Sequence, residues 1–315
     1  MSPLGVPAAG SVVTVGTFDG VHLGHRAVLD EIASRARAAG RMSVLVTFEP
    51  HPLAVVNPAA APPRLTTAAE RNEALATSEI DRVVVLRFDR AMAALEPEVF
   101  VEQILLERCG MRELVIGHDH GFGRGRRGNV AMLRAMGEQH GFTVDVVREV
   151  MGQGGQPVSS TAIRRAVAGG GLAGAAALLG RRHAVSGPVV RGAERGRTIG
   201  YPTVNLAIPP DKLLPPDGVW VGEVETPRWR FGGMMNQGHR PTFDDGRRLL
   251  EAHLFDFEGD LYGREVRIAW MAPLRAIRRF DGVQDLRRQL EEDGIRARAM
   301  VAAARDDLDA PSAPE

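Results

Sequence analysis

The chain has 315 residues, 44% hydrophobic and 25% charged, enough for about two domains with a core each and too apolar for disorder over most of its length. Basic and acidic side chains number 39 each, so no excess of positive charge marks a nucleic-acid or membrane surface, and small-molecule substrates are the expected partners. A single cysteine, Cys109, excludes an intramolecular disulfide, a CxxC redox pair and a cysteine-rich zinc site, which fits a reducing, cytoplasmic setting.

In chain order, SVVTVG, MSVLVTF, VVVLRF, ELVIG and TVDVV are short apolar strands between Ser11 and Val150. Between them lie helical stretches at Leu23 to Ala39, Thr67 to Ala76 and PEVFVEQILLERC. This βα alternation predicts a doubly wound parallel α/β sheet, Rossmann-like in outline. Ala166 to Gly180 is a small-residue stretch that reads as one short helix and a hinge, which places a domain boundary near Arg182, with residues 1–181 before it. HAVSGPVV, VWVGEV, WRFGGMMNQG, LLEAHLFDF and EVRIAWM then follow between Gly, Pro and Asp turns, the pattern of a small antiparallel β-barrel over residues 182–305. Leu286, Leu290, Ile295 and Met300 recur at helical spacing, so a terminal helix is expected on the barrel, with 306–315 as a disordered tail. Met1 to Phe18 lacks a cationic leader, and no uncharged, Gly-poor apolar run reaches the ~18 residues of a membrane span.

Lys212 is the only lysine, and it sits in PPDKLLPP. No GxxxxGK[ST] loop exists, and a kinase-fold or pyridoxal-phosphate lysine would need its own motif context. Any phosphate chemistry here must therefore rest on arginine, histidine, backbone N–H groups and a metal ion.

GTFDGVHLGH, Gly16 to His25, ends the first strand in a glycine turn and opens a helix close to Leu23. The free N–H groups and dipole of that helix favour an anion, and His22 and His25 add donors beside it. Ordinary cap or surface histidines, and zinc on HxxH with Asp19, are the alternatives. TFEPHP closes the next strand and makes Phe48 and His51 pocket walls or parts of a Pro-rich turn. Gly123, Gly125 and Gly128 spell GxGxxG, with Asp145 downstream, but the triplet begins several residues after VIG and is crowded by Arg124, Arg126 and Arg127. An arginine loop over phosphates, or a solvated basic loop, reads better than a nicotinamide site. VSSTAIRRAV sets Ser159, Ser160 and Thr161 at a helix start with Arg164 one turn on, either a second phosphate grip or a plain N-cap.

GTFDGVHLGH, TFEPHP, IGHDHGFG and VSSTAIR, in that order, resemble the flavin branch of the nucleotidylyltransferase superfamily. That branch is the prokaryotic bifunctional riboflavin kinase/FMN adenylyltransferases, or FAD synthetases. The resemblance implies ATP at Gly16, Phe18, Gly24, Ser159, Ser160 and Thr161, with FMN phosphate attacking the α-phosphorus, pyrophosphate leaving and Mg²⁺ screening charge. His22, His25 and Arg164 would stabilise the transition state, and Phe48, His51 and Asp119 would face the flavin. His120 stands where the family usually has Phe.

In the second half, GAERGRTIGYPTVNL brings glycines to a phosphate-sized loop and sets Thr203 and Asn205 two apart on an extended segment, so that both point one way. Two neutral oxygens suit Mg²⁺ held mainly by substrate phosphates, although PTVN also reads as a plain barrel strand. LLEAHLFDF puts Glu251, His253, Phe255 and Phe257 on one face, where apolar neighbours would disfavour the Glu251 charge; an outward-facing strand glutamate is the alternative. GRTIGYPTVNL, PPDGVW, NQGHRPTF and LEAHLFDFEGDLYG resemble the riboflavin kinase module of the same family, and the combined match runs from about Ser11 to about Met300. By matching position, Gly192, Gly196, Arg197 and Gly200 would hold ATP phosphates, Thr203 and Asn205 would coordinate Mg²⁺, and Glu251 would deprotonate the ribityl hydroxyl. Asn236, Arg240 and Arg275 would contact flavin. Gln237 and Ile277 depart from the usual aliphatic and acidic residues. The expected activity is riboflavin to FMN to FAD, with ATP in both steps; alternatives are an adenylyltransferase whose barrel only binds flavin, and a non-catalytic flavin or nucleotide sensor.

Overall fold

Five apolar runs form a wholly parallel sheet in this computed structural model, which describes residues 5, 7–117, 128–192, 194–239 and 248–309. The strands are β1 (Ser11–Val15), β2 (Met42–Glu49), β3 (Arg82–Arg87), β4 (Met111–Gly117) and β5 (Thr143–Val147), in the order β3-β2-β1-β4-β5. Alternation sends Val13, Val15, Val44 and Val46 to one core and Val12 and Leu45 to the other, so both sheet faces are covered. Because β2 and β4 flank β1 on opposite sides, the order reverses there, and the carboxyl end of β1 opens at the switch point where doubly wound sheets bind ligands.

Helix α1 (Leu23–Ala38) buries Val28, Leu29, Ile32, Ala33 and Ala36, an i, i+1, i+4, i+5, i+8 stripe against β1 and β2. Burial of Leu29 and Ile32, 1% and 0% exposed, contributes about 1.5–3 kcal/mol each. The short helices α2 (Pro52–Val56), α3 (Ala68–Ala76), α4 (Arg90–Ala94) and α5 (Pro97–Phe100) follow. The expected helix PEVFVEQILLERC continues from α5 as a π-helical segment, Val101–Arg108, and the Cys109 N–H donates to the Ile104 carbonyl five residues back. Helix α6 (Val130–His140) precedes β5.

Two compact units result, residues 1–64 with 68–160 and residues 65–67 with 161–315. Helices α7 (Ser160–Ala168) and α8 (Leu172–Leu179) occupy the small-residue region, separated by three glycines, and α8 packs on the strand Glu265–Arg275.

The second unit is a closed six-stranded antiparallel barrel, β10-β7-β6-β11-β8-β9. Its strands are β6 (Ala184–Val190), β7 (Val204–Leu206), β8 (Gly218–Glu225), β9 (Arg230–His239), β10 (Arg248–Leu254) and β11 (Glu265–Arg275), with the one-turn α9 (Arg195–Thr198) before β7. The single lysine, Lys212, is buried and donates from Nζ to the Leu65 carbonyl at 2.7 Å. Helix α10 (Val283–Asp309) covers part of the barrel wall, with Ala297 and Val301 against Val219, Val221, Met234, Phe255 and Leu274.

Two expectations change on α10. Ile295 is 72% exposed, whereas Leu290 and Met300 pack partly buried against the barrel cluster; the most buried positions of the helix are Gln289, Asp293, Ala297 and Val301, and Gln289 and Arg275 hold the Asp293 carboxylate. The helix also continues to Asp309, so the first residues of the expected tail are helical. No helix among the described residues is long and apolar enough to cross a membrane.

Candidate active sites

The turn after β1 is built around aromatic rings. Gly16 leaves β1 with its N–H on the Val46 carbonyl at 3.0 Å, and Phe18 and Val21 take positive φ values of 50° and 39°, strained for side-chain-bearing residues. His22 caps α1: its Nδ1 accepts the His25 backbone N–H at 3.2 Å, so its ring proton sits on Nε2. The His22 and His25 rings stack with centroids 3.6 Å apart, and Phe18 stacks on His25 at 4.6 Å. Gly24 permits this, since a Cβ there would stand 3.2 Å from the His22 ring and 3.3 Å from the Val158 carbonyl. Asp19 and His22 are each 5% exposed, and the Ser160 hydroxyl donates to the Asp19 carbonyl at 3.0 Å. His22, His25, Gly24 and Ser160 thus converge at the N-terminus of a 16-residue helix with no acidic residue in its first turn, an arrangement suited to an anion.

Phe48 is a core residue 8% exposed, edge-on to Phe88 and tilted against Phe100. His51 caps α2 through Nδ1 on the Leu53 N–H at 3.2 Å. Ser159 is half-buried, while Thr161, which is exposed, and Arg164, half-buried, fall on α7 in the second unit. Arg164 is one turn beyond Ser160 on the same helix face. Asp119, His120 and Arg124 to Arg127 lie outside the described residues. The described residues hold no group of three or more His, Cys, Asp or Glu placed to bind a metal, so Asp19 and HxxH do not make a zinc set.

Arg71 escaped the sequence reading. It lies 4% exposed on the buried side of α3, one turn before Leu75, and reaches across to the ends of β1 and β2. Its guanidinium donates to the Phe48 carbonyl at 3.0 Å, the Thr17 carbonyl at 3.4 Å and Glu49 Oε2 at 3.1 Å, while Arg64 grips both Glu49 oxygens at 3.0 and 3.1 Å. Burial lowers the Arg71 pKa, and the Glu49 charge opposes that shift. An arginine on the apolar side of a short helix was the available clue.

In the barrel, cross-strand register does the gathering. Glu251 of β10 pairs with Asn205 of β7 on one side and Asn236 of β9 on the other, so the three side chains leave the same face in one row. The adjacent row, Leu206, Leu250 and Gln237, points the opposite way and is fully buried. Gln237 therefore departs from the family pattern inside the barrel, where its amide donates to the Pro215 and Pro216 carbonyls, and not on the face of Glu251. The expected alternation through LLEAHLFDF fails after Leu254: β10 ends there, Leu254 and Phe255 are both buried, and Asp256 turns the chain with φ 56°. Glu251 and His253 still share a face.

Gly192 lies against Asn205, and any Cβ there would collide with the Asn205 amide. Gly196 and half-buried Thr203 are neighbours, whereas Arg197 is exposed on α9 and Gly200 carries φ 87° just beyond it. Asn236 is exposed beside Glu251. Arg275 is committed elsewhere: its Nε lies 2.7 Å from Asp293, and its guanidinium covers Phe280 at 5.6 Å. Arg240 lies outside the described residues.

Asn205 also tests the fit of a hard divalent cation. It is 4% exposed, and its Oδ1 has no hydrogen-bond donor among the described residues. A bare buried carbonyl oxygen costs about 1–3 kcal/mol, a cost that a cation ligated there would offset. The donor set fits Mg²⁺.

Known proteins resemble this chain over nearly its full length. The family model of FAD synthetase matches residues 7–162 and that of riboflavin kinase residues 179–301. The bifunctional riboflavin kinase/FMN adenylyltransferases of Escherichia coli K12 and Haemophilus influenzae are 38% and 37% identical to it, covering 93% and 92% of this chain and 93% and 94% of their own. A solved structure from Streptococcus pneumoniae, described as a macrolide-efflux protein, superposes with a TM-score of 0.80 at 32% identity, over 94% of this chain and 95% of that one.

Proposed function

Because the chain belongs to the bifunctional riboflavin kinase/FMN adenylyltransferase family, we propose that its barrel unit phosphorylates riboflavin to FMN with ATP and that FMN is then adenylylated to FAD at the turn after β1. The modules are assigned to residues 1–181 and 182–305, an assignment supported by family matches that end at 162 and resume at 179.

In the kinase step, the Glu251 carboxylate takes the proton of the terminal ribityl hydroxyl as that oxygen attacks the γ-phosphorus and ADP leaves. Thr203 and Asn205 would hold Mg²⁺, which when bound neutralises phosphate charge. The loop from Gly192 to Gly200 lets backbone approach the triphosphate, and Asn236 orients the flavin alcohol. In the second step an FMN phosphate oxygen attacks the α-phosphorus of a second ATP and pyrophosphate departs. The N–H groups at the start of α1, the Nε2–H of His22 and the His25 ring stabilise the charge gathered on the α-phosphate oxygens.

The observation that carries this reading is the Asn205–Glu251–Asn236 row: a carboxylate set between two amides, beside a glycine that leaves room for one of them. The test is chromatography of the purified chain with riboflavin, ATP and Mg²⁺. FMN followed by FAD is the expected result. FAD from supplied FMN with no FMN from riboflavin would reduce the barrel to a binding module, and formation of neither product would overturn the reading.

A further inference from the structure

We propose that His253 is a positioning residue of the kinase site, clasping the segment that leads to Thr203 and Asn205 onto the strand that carries Glu251. The inference rests on the roles proposed above for those three residues.

The β7–β10 ladder is short. It pairs Leu206, Asn205 and Val204 with Leu250, Glu251 and Ala252, and among the described residues no pair follows. The next residues of the incoming chain are Thr203 and Pro202, and Pro202 has no N–H to contribute to a ladder. At that point a side chain takes over. His253 Nδ1 lies 2.8 Å from the Pro202 carbonyl oxygen; a carbonyl only accepts, so Nδ1 carries the proton and donates. Burial holds the imidazole pKa below its ordinary value, and the Pro202 bond opposes the shift.

The ring is itself held on two sides. Tyr201 meets it edge-on with centroids 5.2 Å apart, and Phe255 does so at 6.0 Å. Tyr201 closes the glycine turn, its N–H donating to the Gly196 carbonyl at 2.9 Å. One imidazole thus joins the Gly196–Tyr201 turn and the Pro202 carbonyl to a position two residues from Glu251 on the same strand face. Without it, the direct backbone pairing between the Thr203 segment and the Glu251 strand is the three-residue β7 ladder.

The experiment compares His253→Ala, His253→Gln and His253→Asn in the full chain, with Glu251→Gln alongside. Asparagine places an amide N–H close to where Nδ1–H stands; glutamine carries it one carbon further out. In His253→Ala, kcat for riboflavin phosphorylation should fall about tenfold to a hundredfold, the scale expected from small misplacements of reacting groups. The KM for ATP should rise, the KM for riboflavin should stay within twofold, and FAD formation from FMN should be unchanged. His253→Asn should restore most of the rate and His253→Gln should not. Wild-type kcat in His253→Ala, or equal losses in all three variants, would overturn the proposal, as would a loss confined to the riboflavin KM. Full kinase activity in Glu251→Gln would instead remove the site assignment on which the proposal stands.

Discussion

The sheet unit and the barrel unit assemble their polar groups in opposite ways. At the end of β1 the chain needs only Gly16 to His25: a turn, a cap and two stacked imidazoles come from one continuous segment, with Ser160 as the distant addition. In the barrel, Asn205, Glu251 and Asn236 come from three strands and meet only because antiparallel register sets them side by side. A site made of one turn depends on local backbone geometry, including the strained φ values of Phe18 and Val21. A site made across strands depends on the closure of the whole barrel.

The contrast can be broken most directly by removing one group from each side. Glu251→Gln should lower riboflavin phosphorylation by about 10²–10⁴-fold, the usual contribution of a general base, with FAD formation from FMN within twofold of wild type by chromatographic assay. His25→Ala should do the reverse, cutting FAD formation by about 10²–10³-fold, as loss of a transition-state donor does, while FMN still accumulates from riboflavin. Loss of both activities from either change in a folded chain would mean that the two sites do not work separately.

A gentler probe sharpens the comparison. Cys109 is fully buried at the end of the π-helical segment in the sheet unit, and burial pushes its thiol up to about 11. A thiol reagent at pH 8 should leave the native chain unmodified and label it once the sheet unit opens in denaturant, whatever the state of the barrel. Rapid labelling of the native chain, followed by mass spectrometry, would contradict this.

What the sequence disclosed follows the same division. HxGH was legible because its geometry is local: a glycine turn, a cap and a helix start are written in consecutive residues. Thr203, Asn205 and Glu251 were legible in part, since a period of two gives each a face but not a neighbour. The pairing of Asn205 with Glu251 needed the barrel. Arg71 was hidden because its partners, Thr17, Phe48 and Glu49, stand 54, 23 and 22 residues away in sequence. Arg275 looked free to meet a ligand until α10 brought Asp293 beside it. Phe255 was assigned to the Glu251 face by counting through a strand that had already ended, at the left-handed turn of Asp256.

The buried Gln237 amide has a consequence for how the barrel is aligned. A slip of β9 by one residue against β10 would turn Gln237 out beside Glu251 and drive Asn236 into the apolar interior. It would also strip the Pro215 and Pro216 carbonyls of their donor. An aliphatic side chain at this position tolerates sliding far better than an amide that finds its partners in one alignment only. Gln237 thus acts as a key in the wall of the barrel, admitting the single strand offset in which the Glu251 row is assembled.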